Sequence, residues 1–417
     1  MSQVSKTLFG QLGALPANPI LGLSTAFAAE TNPNKIDLGV GIYRDEAGRT
    51  PVMAAVLEAG KRLLHSESSK AYMVPAGDEA FNSGIRDLLL GKDHAVLSQA
   101  RVNSIQTPGG CGALRIGAEL IKRGNSASRV WVSDPTWANH LPLLGSAGLA
   151  IEKYPYYDYE GHRIDFDAML SALQHVEAGD VVLLHGCCHN PSGVDLNLEQ
   201  WQKLTELALE KRFTPFIDVA YQGLATGLEE DSAGWRLMSS RVPEMLIAGS
   251  CSKNFGLYRE RTGVLCVQAE SERQAQAAKS QALSITRQSY SMPPSHGALI
   301  AGMILGDESL YAQWTSELSE MRRRIVAMRE MLVERLGDGR GDRNFDFIRS
   351  EFGMFSFLGI GPELVVRLRE EFGIYMVDST RINVAGLNRS NIEYFTESLS
   401  ALLCQSRYCR LNNSGFI

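Results

Sequence analysis

The sequence predicts an α/β protein built around a mostly parallel β-sheet that helices cover on both faces. Five short apolar runs lie in the middle of the chain, each flanked by turn residues or by a helical pattern. Such runs are typical of parallel strands that are buried on both faces. The predicted strands are Val130–Ser133, Val181–Leu184, Phe216–Asp218, Leu246–Gly249 and Val264–Val267.

Two helical patterns support this fold class. Between the second and third strands, Leu198, Trp201, Leu204 and Leu207 fall on one helix face, and such alternation of strand and helix builds a layered α/β domain. A longer apolar stripe between residues 315 and 336 predicts a helix of about six turns. Its members are Leu318, Met321, Ile325, Met328, Leu332 and Leu336. We expect the arginines at 322–324 to lie on its solvated face.

The long helix also divides the chain into domains. It ends at Gly337, a polar and glycine-rich stretch follows through Arg343, and new strand and helix signals fill the remainder. We predict a large domain over residues 46–315 and a smaller α+β domain over residues 316–417, led by the long helix. Residues 1–45 are predicted to form an N-terminal arm and part of the small domain.

Composition narrows the classes of function. The 417 residues carry a net charge of -6 at pH 7, whereas nucleic-acid binding needs a basic surface, so we expect no such partner. Met1–Gly10 lacks the apolar core of a secretory signal, and no apolar run reaches the ~20 residues of a membrane span. Seven dispersed cysteines without a CxxC pair indicate reduced thiols, and therefore a cytoplasmic protein without a membrane partner.

The segment from Gly249 to Gly263 carries the most informative chemistry. Lys253 follows a predicted strand, which would place it at the carboxyl edge of the sheet, where open α/β sheets bind ligands. Desolvation there would lower the pKa of its amine and free it to attack an aldehyde. Three neighbours offer hydroxyl and guanidinium donors for a phosphate: Ser250, Ser252 and Arg261. On these residues alone, an ordinary surface loop is the alternative.

Two other motifs are less specific. Thr107–Leu114 opens a helical pattern, and its glycines would let backbone N–H groups approach a phosphate at the helix N-terminus. The pair Gly110 and Gly112 lacks the third glycine and the acidic residue of a dinucleotide site. The Cys-Cys-His run at 187–189 has no zinc-ligand spacing, so we expect no metal.

The motif around Lys253 resembles the cofactor-lysine signature of the class I (aspartate/aromatic) aminotransferases. Here it reads Ser-Cys-Ser-Lys-Asn-Phe-Gly-Leu-Tyr-Arg-Glu-Arg-Thr-Gly from Ser250 onward, and the resemblance extends from Asn18–Leu23 to Arg381–Gly386. It implies the pyridoxal 5′-phosphate (PLP)-dependent transferase fold of type I. It also implies that Lys253, in the large domain, carries PLP as a Schiff base.

The resemblance implies how the remaining cofactor groups are held. Asp218 would pair with the pyridine nitrogen and keep it protonated, and His140 would hydrogen-bond that carboxylate. Tyr221 and Asn190 would bind O3′ of PLP, and Trp137 would stack on the ring. The implied phosphate-binding residues are Gly110, Cys111, Ser250, Ser252, Arg261 and, from a neighbouring subunit, Tyr72. Family members usually carry Thr or Ser at position 111, so cysteine here removes a hydroxyl donor.

The resemblance also implies a substrate site shared by two subunits. Arg381 would hold the substrate α-carboxylate in a bidentate fork, beside Gly41, Asn190 and Trp137. Arg287 of the other subunit would recognise a side-chain carboxylate, which implies a homodimer. The family bends its chain near the ring at the positions of Pro135 and Pro191, where cis peptides are expected.

The implied reaction is ping-pong transamination between an L-amino acid and 2-oxoglutarate, in which Lys253 moves the proton as general base and acid. Three positions that are often polar in aspartate-restricted relatives are here Ala71, Cys111 and Met292. We therefore expect an aromatic or broad aspartate/aromatic enzyme. The alternatives are a strict aspartate aminotransferase, a specialised biosynthetic aminotransferase, another PLP reaction such as β-decarboxylation or elimination, and a non-catalytic PLP-binding protein.

Overall fold

The computed structural model describes residues 7–15, 19–337 and 344–413. The strands in these ranges are β1 (Ile36–Asp37), β2 (Val102–Pro108), β3 (Arg129–Asp134), β4 (Ala150–Pro155), β5 (Tyr157–Asp158), β6 (Arg163–Ile164), β7 (Val181–His185), β8 (Thr214–Val219), β9 (Met245–Ser250), β10 (Thr262–Gln268), β11 (Phe355–Phe357), β12 (Ile374–Tyr375) and β13 (Arg381–Asn383). The α-helices are α1 (Pro19–Ala29), α2 (Ala54–Ser66), α3 (Glu79–Leu90), α4 (Ala95–Ser98), α5 (Gly109–Gly124), α6 (His140–Gly145), α7 (Phe166–Leu173), α8 (Leu198–Lys211), α9 (Leu228–Arg241), α10 (Glu272–Ser289), α11 (His296–Gly306), α12 (Glu308–Gly337), α13 (Pro362–Phe372) and α14 (Ile392–Asn413). Across these ranges, no helix has the length and apolar character that crossing a membrane requires.

Seven strands form the central sheet, in the order β2-β10-β9-β8-β7-β3-β4. Strand β10 runs antiparallel to both of its neighbours, and all pairs from β9 to β4 are parallel. The predicted fold class is therefore confirmed. All five predicted strands are also confirmed, because each lies within an observed strand that extends it by at most two residues at either end.

The two edge strands, β2 and β4, were not among the predicted strands. Polar side chains interrupt β2, and they are buried because they bond to neighbouring backbone: Ser104 Oγ donates to Asn82 O (2.9 Å) and Gln106 Nε2 donates to Pro294 O (2.7 Å). Strand β4 buries only Tyr154. Neither strand therefore contains the continuous apolar run that marks an interior strand.

The direction of the strands brings distant segments to one edge of the sheet. The loops that follow β2, β3, β7, β8 and β9 leave from the carboxyl edge, and the loop before the antiparallel β10 arrives there. This arrangement gathers Gly110, Trp137, Asn190, Lys253 and Arg261. Ligands of open α/β sheets bind at this edge.

The predicted long helix is confirmed as α12, and its predicted apolar stripe is buried. It begins at Glu308, about two turns before the predicted start at residue 315, because Leu310 and Trp314 continue the apolar stripe. The carboxylate of Asp307 caps the first turn by accepting the backbone N–H of Leu310 (3.0 Å). The helix thus starts where a capping acid precedes the apolar pattern.

The expectation of a solvated face at residues 322–324 is wrong for two of the three arginines. Arg322 Nη1 donates to Gly223 O (3.3 Å) and Arg324 Nη2 donates to Leu387 O (2.6 Å). Both side chains are partly buried, and Arg323 is exposed. Buried carbonyl groups need hydrogen-bond donors. These two guanidinium groups are the donors for the loops that contain Gly223 and Leu387.

A second apolar cluster lies apart from the central sheet. It joins Ile36 and Leu38 near β1 to the carboxyl half of α12 and to α13 and α14. Strand β1 pairs parallel with β12, and β11 pairs antiparallel with β13. Arg381 is the first residue of β13, so this cluster supports one wall of the site described below. The predicted domain boundaries at residues 45/46 and 315/316 stay a prediction.

Candidate active site

A cavity of about 240 Å³ opens at the carboxyl edge of the central sheet. Twelve of the predicted site residues line it: Gly41, Gly110, Cys111, Trp137, Asn190, Asp218, Tyr221, Ser250, Ser252, Lys253, Arg261 and Arg381. The remaining wall consists of Leu114, His185, Cys187, Ala220 and Phe355. Residues from 41 to 381 therefore meet around one space.

Lys253 lies in the turn after β9, with its Nζ 4.8 Å from the centroid of the Tyr221 ring. Burial lowers the pKa of the Lys253 ammonium, the Asp218 carboxylate opposes this change, and the positive charge of Arg261 adds to it. A lowered pKa increases the fraction of neutral amine at neutral pH, which is the form that attacks a carbonyl.

Asp218 belongs to β8 and faces the same cavity. His140 Nε2 donates a hydrogen bond to Asp218 Oδ2 (3.1 Å), and the histidine is fully buried. Burial alone would raise the pKa of Asp218, but the hydrogen bond and the electrostatic effect of His140 outweigh it, with smaller contributions from His185 and Lys253. The pKa therefore lies below its usual range, and the carboxylate is ionised at neutral pH.

A hydrogen-bonded chain continues behind Asp218. Thr136 Oγ1 lies 2.8 Å from Nδ1 of His140 and 3.1 Å from Nε2 of His185. Since His140 donates to Asp218 through Nε2, its Nδ1 accepts the Thr136 hydroxyl proton, and that hydroxyl oxygen accepts from His185. Burial and the nearby His140 lower the pKa of His185 to about 3, so His185 is neutral.

Sequence reasoning assigned no role to Thr136 or His185. Both lie within motifs that carried the resemblance, and His185 follows directly on the predicted strand 181–184. Its place at a strand's carboxyl end was the available signal. Thr136 had none, because its role depends on the spacing of two histidines that are far apart in sequence.

One end of the cavity presents hydrogen-bond donors from the backbone and from side chains. Helix α5 begins at Gly109 without a side-chain cap, so the N–H groups of its first turn remain available to an anion. Arg261 Nη1 donates to Ser252 Oγ (3.4 Å), and Ser250 Oγ accepts the backbone N–H of Ser252 (3.2 Å). A Cβ at Gly109 would lie 2.5 Å from Arg261 Nη2, so glycine is needed for this approach.

Arg381 occupies another part of the wall and is 5% exposed. Its Nη1 donates to Asn190 Oδ1 (3.2 Å), its Nη2 donates to Gly39 O (2.6 Å), and its Nε has no hydrogen-bond partner among the described residues. The guanidinium carbon lies 4.3 Å from the centroid of the Phe355 ring. Burial lowers the pKa of Arg381. A buried cation of this kind requires an anionic ligand.

Aromatic and amide groups surround the middle of the cavity. Tyr221 is buried, which raises the pKa of its hydroxyl and keeps it protonated. The Trp137 ring meets the His140 ring edge-on at 5.3 Å. Asn190 lies in the loop after β7, and its bond to Pro191 is cis, as is the bond between Asp134 and Pro135. The expected cis peptides are confirmed.

Of the predicted site residues, His140 lies behind Asp218 and does not line the cavity, and Tyr72 and Arg287 do not reach the cavity of their own chain. Tyr72 is 94% exposed, and Arg287 is exposed with its Nη1 bonded to Ser291 Oγ. Ala71 is exposed as well, and Met292 Sδ accepts the backbone N–H of Met73 (3.3 Å). Of the three positions used to predict substrate preference, Cys111 alone lines the cavity.

The charges and shape of the cavity fit PLP. The cavity wall contains three basic groups (Lys253, Arg261 and Arg381) and one carboxylate, that of Asp218. Within the described ranges no carboxylate, including that of Asp218, lies within 4.0 Å of any of the three basic groups. An anionic ligand with a carbonyl group would satisfy both the amine and the spare positive charge. PLP has an aldehyde for Lys253, a ring nitrogen for Asp218 and a phosphate for the end at Gly110.

The fold and the cavity define the class of protein as a PLP-dependent transferase, and the family comparison is more specific. The family model for "Aminotransferase class I and II" matches residues 33–399. The chain therefore belongs to the class I and II aminotransferases, and its cofactor is PLP. The resemblance, the fold class, the enzyme class and the cofactor predicted from the sequence are all confirmed.

Similar proteins of known name share nearly the whole chain. An aspartate aminotransferase of Escherichia coli K12 is 46% identical over 95% of this chain and 100% of its own length. An aromatic-amino-acid aminotransferase of Paracoccus denitrificans is 44% identical over 94% of this chain and 99% of its own. A crystal structure of the aromatic-amino-acid aminotransferase from Burkholderia pseudomallei, covalently bound to pyridoxal phosphate, matches with a TM-score of 0.93 at 42% identity, covering 95% of this chain and 100% of that one.

Proposed function

We propose that the chain transfers the amino group between an L-amino acid, aromatic or aspartate, and 2-oxoglutarate, by a ping-pong mechanism centred on Lys253. The observation that carries the proposal is one cavity that holds the Lys253 amine, the ionised Asp218 carboxylate and the Arg381 guanidinium. Nε of Arg381 has no hydrogen-bond partner among the described residues. When bound, PLP supplies a ring that accepts the electrons left on the substrate Cα.

Lys253 is the proposed nucleophile and proton carrier. Its lowered pKa favours the neutral amine, which can bond to the cofactor aldehyde. When it is not bonded to the cofactor, the same Nζ would accept the proton from the substrate Cα and return it later as an acid. Tyr221, whose ring lies 4.8 Å from this Nζ, is proposed to hold its hydroxyl proton toward O3′ of PLP together with the amide of Asn190.

Asp218 is proposed to hold a proton on the pyridine nitrogen. An ionised carboxylate in a buried site stabilises a cation beside it, and the low pKa of Asp218 supports that state. His140, Thr136 and the neutral His185 are proposed to keep the carboxylate oriented through the hydrogen-bonded chain. Of these three residues, His185 lines the cavity wall, and His140 and Thr136 do not. In this proposal His140 and Thr136 touch neither substrate nor cofactor.

The two ends of the cavity are proposed to bind two anions. The phosphate of PLP would lie at the α5 N-terminus beside Gly110, Ser250, Ser252 and Arg261, where Cys111 offers its backbone N–H and a weak thiol donor. The substrate α-carboxylate would accept from the Arg381 fork. Its other proposed contacts are Asn190, Trp137 and the backbone at Gly41.

We propose a homodimer in which each subunit completes the other's site with Tyr72 and Arg287. The exposure of both residues on a chain whose own cavity they do not reach supports this arrangement. Subunits carrying Lys253→Ala should be mixed and refolded with subunits carrying Arg287→Ala. If Arg287 serves the partner's site, hybrid dimers regain one intact site and dicarboxylate activity returns. If it acts in its own chain, mixing restores nothing.

We propose a broad aspartate/aromatic specificity, with aromatic donors accepted. A second cavity of about 690 Å³ adjoins the first and shares Trp137, Asn190 and Arg381 with it. Its wall is largely apolar, including Leu23 and Phe357, which makes a bulky apolar side chain less costly to accommodate. The aspartate and aromatic names of the relatives support both substrate classes.

A panel of amino acids in single-turnover experiments tests this proposal. Conversion of PLP to its amino form by phenylalanine, tyrosine and aspartate is the expected result. Conversion by aspartate alone would leave a strict aspartate aminotransferase. Release of carbon dioxide or of an eliminated product would indicate another PLP reaction, and no conversion with any amino acid would indicate a non-catalytic PLP-binding protein.

We further propose that the protein is cytoplasmic and has two domains with the predicted boundaries. Cysteines without disulfide bonds at Cys111, Cys187, Cys188, Cys251 and Cys266 support the first statement. The separate apolar cluster around β1, α13 and α14 supports the second. Limited proteolysis near residues 45 and 315, followed by mass determination, tests the boundaries.

A further inference from the structure

Arg381 is held from behind by a loop that contains an ion pair of its own. The Gly39 carbonyl that accepts Arg381 Nη2 (2.6 Å) belongs to a turn whose N–H groups face the Asp37 carboxylate. Asp37 Oδ1 accepts the Gly39 N–H (3.0 Å), and Asp37 Oδ2 accepts Nη2 of Arg44 (2.7 Å). The Asp37 side chain is 7% exposed and that of Arg44 is 23% exposed. Asp37 Oδ1 also accepts the Val40 N–H (3.4 Å), which belongs to the same peptide as the Gly39 carbonyl. One carboxylate thus links Arg44 to the peptide that holds Arg381.

Asn383 fixes the remainder of this loop. Its Nδ2 donates to Val40 O and to Ile42 O, each at 2.7 Å, and the side chain is fully buried. With Asn383 on one side and the Asp37 carboxylate on the other, the loop at 37–42 has few alternative positions. The direction of the Gly39 carbonyl therefore depends on these two anchors, and the Asp37 anchor depends on its charge partner.

We propose that Asp37 and Arg44 are positioning residues for the amino-transfer reaction. Their ion pair holds the Gly39 carbonyl where it aims the Arg381 fork at the substrate α-carboxylate. The pair also balances the Asp37 charge, which would otherwise offset the positive field of Arg381. This inference rests on the α-carboxylate role proposed above for Arg381. Neither residue contacts the substrate or PLP in this scheme, and neither lines the cavity.

A matched control exists in the same chain. Arg129 Nη2 and Asp180 Oδ2 are also 2.7 Å apart, with side-chain exposures of 28% and 6%. Arg129 begins β3 and therefore lies at the amino edge of the sheet, opposite the cavity. Arg44→Gln and Arg129→Gln each remove one partly buried guanidinium. Arg129 also lies 3.4 Å from Glu177, so the control variant should lose at least as much general stability as Arg44→Gln.

The test compares these two variants in PLP-saturated enzyme. We expect Arg44→Gln to raise KM on the order of tenfold for every donor and for 2-oxoglutarate, below the roughly hundredfold loss that a ~1 Å misplacement can cause. We expect kcat, PLP affinity and the pH profile to change little, and Arg44→Lys to recover most of the lost KM. Arg129→Gln should leave KM unchanged. Binding of 3-phenylpropionate, a carboxylate without an amine, should weaken in parallel with KM in Arg44→Gln.

Three outcomes overturn the inference: KM values that are equal in the two glutamine variants, a KM change confined to dicarboxylates, and a loss that appears only as weaker PLP binding. If Arg44→Gln does not fold, Asp37→Asn gives the same test, because it keeps the turn acceptor and removes the charge. An unchanged KM in Asp37→Asn then overturns it. Arg381→Ala separates the two proposals. If that variant keeps the wild-type KM, the α-carboxylate role of Arg381 fails. If its KM is raised but the KM of Arg44→Gln is normal, the positioning role alone fails.

Discussion

Arg381→Lys keeps a positive charge in the cavity wall but removes the forked guanidinium. In the wild type, Nη2 bonds to Gly39 O (2.6 Å), Nη1 bonds to Asn190 Oδ1 (3.2 Å), and Nε has no partner among the described residues. A lysine ammonium has three N–H donors on one nitrogen. It therefore cannot keep the contacts with Gly39 and Asn190 and also give two hydrogen bonds to a carboxylate. Loss of one charge-assisted hydrogen bond costs about 1.5–3 kcal/mol, which is roughly 10- to 150-fold in kcat/KM.

The assay is kcat/KM for an aromatic amino acid, for aspartate and for 2-oxoglutarate, measured on the variant after PLP loading has been verified by absorbance. All three substrates have an α-carboxylate, so the same factor of loss is expected for each. The reasoning is refuted if kcat/KM is unchanged, or if the loss is confined to the two dicarboxylates. Arg381→Ala should be worse than Arg381→Lys, because it also leaves the Asn190 and Gly39 oxygens without a donor.

Three further predictions concern the other proposed roles. Lys253→Ala should lose covalently bound cofactor and turnover, and borohydride reduction of the wild type followed by peptide mapping should place the cofactor on Lys253 and on no other lysine. Asp218→Asn should retain the fold and cofactor but reduce turnover by orders of magnitude, since no anion then holds the ring proton; near-normal single-turnover rates in the loaded variant would contradict this. Arg287→Ala should lower kcat/KM for aspartate and 2-oxoglutarate far more than for tyrosine or phenylalanine, which have no side-chain carboxylate, and equal losses for both classes would make Arg287 structural.

Local sequence was sufficient for the interior of the sheet and insufficient for its edges. The predicted strands are buried on both faces, so each had to be an apolar run. The edge strand β2 buries Ser104 and Gln106 by bonding them to Asn82 and Pro294, which are distant in sequence. The same limit explains Arg322 and Arg324, whose carbonyl partners lie on other segments. Tertiary hydrogen bonds decide these cases, and a window of neighbouring residues does not contain them.

The site residues likewise fall into those that a local motif predicts and those that depend on contacts with distant segments. Residues in contiguous motifs, such as Asp218, Lys253 and Asn190, could be named from the sequence because a motif fixes their place at a strand end. Thr136 and His185 were missed because the chain they form with His140 depends on a contact between residues 136 and 185, which are far apart in sequence. The roles proposed for Tyr72 and Arg287 require a second subunit, so the mixed-subunit experiment described above is the test of both.

The most informative property of the site, its unbalanced charge, has no counterpart in the sequence. Lys253, Arg261 and Arg381 are three among 41 lysines and arginines, and most such residues pair with an acid or face water. Burial around a single carboxylate distinguishes these three. That carboxylate, Asp218, lies more than 4.0 Å from each of the three, and its single negative charge can balance at most one of their positive charges. A cavity built in this way is costly to leave without anions, and a phosphate at one end with a carboxylate at Arg381 supplies them. Asp37, whose carboxylate accepts the Gly39 N–H, is paired with Arg44 and not with Arg381, so this acid does not take the place of a ligand.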